Sequence, residues 1–216
     1  MMEVDHLFIF SDQQGSEADE LLRWGLTEGS SRRHPGQGTR NRKFYFENFF
    51  LEILWVVDQE EIDREPAAST GLGDRARFVT NGSSRFGLCL LNTEATDALF
   101  RHSEPYQPEY FPVGMSVDIL PHHDNPLLPW TFRLPYRGEK KPTLEPTHHS
   151  SGVRRLTKAV FGVPGVRQDH DFVRGFAPPT TVAFENSERP VLLLEFDGGQ
   201  QHQTKRWEAL DLTFVY

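Results

Sequence analysis

Two short apolar stretches each carry an ionisable residue near the middle. The first is Val4-Asp5-His6-Leu7-Phe8-Ile9-Phe10; the second is Phe49-Phe50-Leu51-Glu52-Ile53-Leu54-Trp55-Val56-Val57. Both read as strands, and side chains alternate between the faces of a strand. His6, Phe8 and Phe10 therefore share one face, with Leu7 and Ile9 on the other. Phe50, Glu52 and Leu54 share a face opposite Leu51, Ile53 and Trp55. If the two strands lie side by side, His6 and Glu52 point into one concavity. An imidazole and a carboxylate on a rigid sheet are two of the three or four ligands a divalent metal needs.

The segment between these strands extends the pattern. Ser16 to Leu26 reads as a short amphipathic helix with Ser16 as its cap and Gly25 at its last turn. His34-Pro35-Gly36-Gln37-Gly38-Thr39-Arg40-Asn41 carries two glycines that shape a turn and let backbone amides approach a ligand. Arg42 to Phe46 reads as a strand, and Glu47-Asn48 as a tight turn into the Glu52 strand. The order is βαβββ.

That order, with Asp5-His6 in the first strand and Leu51-Glu52 in the last, resembles the vicinal oxygen chelate superfamily, and more narrowly its glyoxalase-like domain group. The closest match is the His34 to Asn41 segment followed by Phe44-Tyr45-Phe46 and Phe50 to Leu54. The resemblance implies an α+β fold in which paired βαβββ modules form a cupped mixed β-sheet around a divalent metal ion. It divides the chain into a first module at 1–58, a connection at 59–84 and a second module at 85–137. Residues 138–216 are then C-terminal strands that complete the sheet or form a partial third module.

The 216-residue chain is long enough for a sizeable core, and its 12% aromatic content suits an aromatic-rich interior. Its net charge of −8 argues against nucleic acid and anionic membranes as partners. The single cysteine, Cys89, excludes intrachain disulfides and reads as a small core residue. Without an 18-residue apolar run or a basic-then-apolar start, the expectation is a cytoplasmic protein with neither membrane span nor signal peptide.

The second module breaks the pattern. Where the first offers His6, the second offers Phe86 or Gly87; where the first offers Glu52, it offers Phe132 or Arg133. None of these binds a metal. The expected metal ligands are His6 and Glu52 with a third from His148, His149 or Glu195, His149 being preferred. Mn, Fe, Ni or Zn all suit such an N/O site. The alternatives are a satisfied core histidine at position 6 and a Glu52 paired by Arg42, Lys43 or Arg85. His122-His123-Asp124 sits among prolines and reads as a loop. His34, Thr39 and Asn41 border the expected cavity, with Phe8 and Phe50 as walls, and Glu52 or Glu195 moves the proton.

The function implied by the resemblance is a glyoxalase-like, metal-dependent enzyme of isomerase, lyase or dioxygenase type. It would chelate neighbouring oxygens of a small organic substrate. The competing class is a non-catalytic, resistance-type protein that sequesters a small molecule on the same scaffold. Members of the superfamily often pair modules between chains, so a homodimer is also an expectation.

Overall fold

A computed structural model describes residues 2–177 and 180–216. The first part runs β1 (Val4–Phe10), α1 (Ala18–Trp24), β2 (Arg32–His34), β3 (Thr39–Tyr45) and β4 (Phe50–Val56). Three short helices follow: α2 (Gln59–Ile62), α3 (Leu72–Ala76) and α4 (Phe78–Asn81). The order βαβββ then recurs in β5 (Phe86–Asn92), α5 (Glu94–Asp97), β6 (Glu104–Tyr106), β7 (Val117–Leu120) and β8 (Trp130–Arg137). The remainder is β9 (Leu156–Val163), α6 (Asp171–Arg174), β10 (Val182–Asn186), β11 (Val191–Phe196), β12 (Thr204–Trp207) and β13 (Leu212–Val215).

The first two groups share one eight-stranded sheet in the order β2-β3-β4-β1-β5-β8-β7-β6. Strands β1 and β5 meet antiparallel at its centre. Each also pairs in parallel with the last strand of its own group, β1 with β4 and β5 with β8. Every residue of β1 and of β5 is buried, so both faces of the central pair must be covered. Leu7 and Ile9 of β1, Leu51 and Ile53 of β4, and Phe86, Leu88 and Leu90 of β5 join one large core. Burying one such side chain stabilises the fold by about 1.5–3 kcal/mol.

The other side of that core is a second, five-stranded sheet, β10-β9-β11-β13-β12. Residues after 138 therefore build their own layer on the convex face and do not lengthen the first sheet. On β11, Leu192, Leu194 and Phe196 are buried while Val191, Leu193 and Glu195 are half-exposed. That period of two belongs to a sheet with one wet face. The opposite face of the eight-stranded sheet carries a smaller cluster of Phe8, Phe10, Leu54, Leu72, Tyr106, Val117 and Trp130. No helix among the described residues is long and apolar enough to cross a membrane.

Local departures from the sequence reading have specific causes. Helix α1 starts at Ala18 with no side-chain cap; the hydroxyl of Ser11 holds the Glu17 carboxylate, and Ser16 takes no capping part. Gly25, at φ 113°, ends the helix, as its position suggested. Arg75 of α3 is fully buried and, among the described residues, no carboxylate stands within ion-pair distance of it. It donates instead to the backbone oxygens of Pro126, Leu128 and Pro121, clamping the loop before β8. His122, in that loop, is packed edge-on against Phe172 at 4.3 Å.

Two outcomes follow for stability. Arg75→Ala strands three backbone carbonyls and should lower the unfolding free energy by about 3–5 kcal/mol in denaturant titrations. Burial, with the Arg75 charge behind it, pushes the His122 imidazole down to about 3. Its folded value lies below its unfolded one, so the unfolded chain takes up the proton first. Stability is retained above about pH 6.5 and is lost as pH falls toward 3, with a slope of about 1.4 kcal/mol per pH unit from this group. His122→Asn should flatten the pH dependence of the denaturation midpoint in that window.

Candidate functional site

The concave face of the eight-stranded sheet holds a partly open cavity of about 190 Å³. His6 comes from β1 and Glu52 from its parallel neighbour β4; Phe8 is the residue directly beside Glu52. The His6 Nε2 and Glu52 Oε2 atoms stand 3.9 Å apart. Both residues are buried. The His6 ring is stacked on Phe50 at 4.3 Å and meets the edge of Phe132 at 5.3 Å.

Asp5 supports this arrangement from behind. Adjacent residues of a regular strand point to opposite faces, but the β1–β5 register shifts between Val4 and His6. This irregularity lets the Asp5 carboxylate reach His6 Nδ1 at 2.7 Å. Lys140, from the segment between β8 and β9, stands 3.2 Å from the other Asp5 oxygen. Burial would raise the Asp5 carboxyl, but the hydrogen bond and charge of His6, and then Lys140, hold it below the usual carboxylate range. An ionised Asp5 accepts from Nδ1–H, which leaves Nε2 on the cavity side.

Glu52 is fixed from β3. The Asn41 amide donates to Glu52 Oε1, while the Asn41 oxygen accepts from the Arg32 backbone N–H at 2.6 Å. This leaves Oε2 facing His6. His34 also lines the cavity, and its Nδ1 lies 2.9 Å from the Thr39 hydroxyl. Burial lowers the His34 imidazole despite the opposing Glu52 charge. Gln37 accepts from Tyr110 at 3.1 Å and Tyr106 at 3.4 Å, tying the end of β6 and the segment after it to the β2–β3 hairpin. Phe8, Trp130 and Phe132 form the apolar wall.

A family model described as a glyoxalase-like domain matches residues 4–170. The chain belongs to that family. It is thereby a member of the vicinal oxygen chelate superfamily, and its curled mixed sheet agrees. Among solved structures, a hypothetical protein from Staphylococcus aureus is similar over 99% of both chains, with 10% identity and a TM-score of 0.60. A xylose isomerase-like TIM barrel/4-hydroxyphenylpyruvate dioxygenase fusion protein is similar over 92% of this chain and 37% of its own length, with 10% identity and a TM-score of 0.51. At such identities the likeness is one of fold. No curated protein matches the sequence.

In this glyoxalase-like chain, most of the residues expected at the site converge on the cavity: His6, Glu52, His34, Asn41, Phe8 and Phe50 all line it. Thr39 stands one layer back, holding His34 and Gln37. The glycine amides do not face a ligand. Those of Gly36 and Gly38 donate to Glu61, at 3.0 and 3.1 Å, which fills the turn. Three further expectations are corrected. Both ring nitrogens of His149 are held by backbone, one 2.9 Å from the Thr27 amide and the other 2.9 Å from the Tyr45 oxygen. Glu195 lies on β11 of the second sheet, where its carboxylate accepts from Thr157 at 2.7 Å. His148 contributes only its carbonyl, to Thr27.

Arg32, Gln37, Lys43, Tyr106, Tyr110 and Trp130 line the cavity without having been assigned to it from sequence. Lys43 was within reach of strand logic, because it shares a face with Asn41 and lies directly across from Glu52. The tyrosines come from a proline-rich segment with no periodicity to read.

The donor set decides whether a resident metal fits. His6 and Glu52 supply two donors. The second half supplies none: a Cβ at Gly87 would meet the Phe8 ring at 2.0–2.3 Å, Phe132 faces the cavity, and Arg133 turns away to Asp97 and Asp118. His34 does not come within 4.8 Å of both donors. Among the described residues, the only three potential ligands that close together are Asp5, His6 and Cys89. There Asp5 is already held by His6 Nδ1 at 2.7 Å and by Lys140 at 3.2 Å. A catalytic ion ordinarily keeps three protein ligands, so these residues do not make a resident metal site. Exhaustive dialysis against a chelator is expected to leave thermal unfolding unchanged and small-molecule affinity within about twofold, as read by calorimetry before and after treatment.

Proposed function

We propose that this chain is a glyoxalase-like enzyme of isomerase or lyase type. In this reading it binds a small oxygenated organic molecule on the concave face, and His6 and Glu52 exchange protons with it. The observation that carries the reading is the 3.9 Å approach of His6 Nε2 to Glu52 Oε2 inside a cavity walled on one side by Phe8, Trp130 and Phe132. Asp5 fixes the imidazole tautomer and stabilises the imidazolium that forms when Nε2 takes a proton. Glu52, held at Oε1 by Asn41, keeps Oε2 for a second transfer. Two proton-transfer groups on one side of a bound carbon acid suit removal of a proton from one carbon and its return to a neighbouring atom.

A second reading, sequestration without turnover, draws on Gly87, Trp130 and Phe132. Trp130 and Phe132 give the second half of the cavity an apolar wall, and the close fit of the Phe8 ring against Gly87 leaves no room for a ligating side chain there.

Proton exchange separates the two. With small α-hydroxycarbonyl compounds in deuterated water, the wild-type chain is expected to accelerate loss of the α-proton signal in NMR spectra. Glu52→Gln and His6→Ala should each slow that exchange by about 10²–10⁴-fold. Variants that exchange at the wild-type rate would remove the pair from the chemistry. A wild-type chain that binds these compounds without exchange would establish sequestration.

A further inference from the structure

The cavity has a charge pattern that proton transfer alone does not require. The chain has 31 acidic and 23 basic residues other than histidine, and many of its arginines stand within 4.0 Å of a carboxylate. Arg42, for example, holds Asp19 and Glu28, and Arg133 holds Asp97 and Asp118. Arg32 and Lys43 line the cavity and, among the described residues, neither forms such a pair. Aromatic rings hold them instead. The Arg32 guanidinium lies 4.7 Å from the centre of Tyr110, and the Lys43 ammonium lies 5.4 Å from Tyr45 and 5.8 Å from Phe50. A ring orients a cation without neutralising it.

We infer that the cavity takes a small organic carboxylate with a body the size of one ring, and that Arg32 and Lys43 receive its acidic group; this rests on the concave cavity being the ligand site. Arg32 is exposed and Lys43 half-buried, whereas Glu52 is buried with Asn41 and His6. The two cations therefore stand nearer solvent than the acid–base pair. An anion entering a protein of net charge −8 meets locally positive groups there, which favours its capture over that of a cation. The guanidinium fork suits a carboxylate's two oxygens.

Size and shape set the rest of the molecule. A cavity of about 150 Å³ holds benzene, so 190 Å³ admits one ring and a short substituent. Trp130 and Phe132, with ring centres 5.0 Å apart, and Phe8, 6.0 Å from Trp130, offer flat apolar faces to a ring.

Calorimetric titration at low salt with benzoate, benzamide, benzylamine and 2-naphthoate tests this. Benzoate is expected to bind at least tenfold more tightly than benzamide, with benzylamine weakest and 2-naphthoate excluded by size. Arg32→Gln and Lys43→Gln should each reduce benzoate affinity toward that of benzamide while leaving thermal unfolding unchanged. Equal affinity for benzoate and benzamide, or undiminished benzoate binding in the double variant, would overturn the assignment of an anionic ligand. Phe132→Trp, which fills the cavity, checks the underlying site separately. If it leaves benzoate and benzamide binding intact, the ligand lies elsewhere and the site reading fails too. Absence of binding by every probe would overturn the carboxylate inference, while α-proton exchange would still decide whether the His6–Glu52 pair is active.

Discussion

Everything in this structure depends on the antiparallel contact between β1 and β5. The two strands lie at the middle of the eight-stranded sheet and are buried along their whole lengths. A pair covered on both sides needs two partners. The convex side receives the five-stranded sheet and the larger core. The concave side is lined by aromatic and ionisable groups around a small cavity. Near one end of the contact Phe8 faces Gly87, and the missing side chain at position 87 is what admits the Phe8 ring. The same exchange of ring for side chain removes any polar group from that point of the second half.

The two halves thus share a backbone plan and differ in chemistry. The first supplies His6, Glu52, Asn41, His34 and both unpaired cations. The second supplies Trp130, Phe132 and the tyrosines that close onto Gln37. A buried carboxylate needs hydrogen bonds or countercharge. Glu52 obtains a hydrogen bond from the Asn41 amide; Arg42 and Arg85, which could have paired with it, hold Glu28 and Asp19 or Asp211 and Glu17 instead.

What the sequence revealed followed from period-two alternation. That logic placed His6 with Phe8 and Glu52 with Phe50, and it required only that β1 and β4 be neighbours. It also left Glu195 on the wrong layer, because alternation says which residues share a face but not which sheet owns the strand. Asp5 escaped it altogether, since the shift in the β1–β5 register breaks the period there. His149 looked available because a histidine beside another histidine suggests a ligand; its two backbone partners, Thr27 and Tyr45, are 122 and 104 positions away in the chain. Glu61, which fills the glycine turn, comes from 23 to 25 positions further along the chain, in the connection after the first module.

The link between β8 and β9 is more than a tether. It carries Lys140 against Asp5 and His149 against the backbone of the first half, before the chain enters the second sheet. The rear layer and the front cup are therefore not exchangeable parts. Transplanting the cup without this link onto another support would remove Lys140 from Asp5, and a graft that preserved every wall of the hollow would lose part of what holds the carboxylate behind the His6 ring.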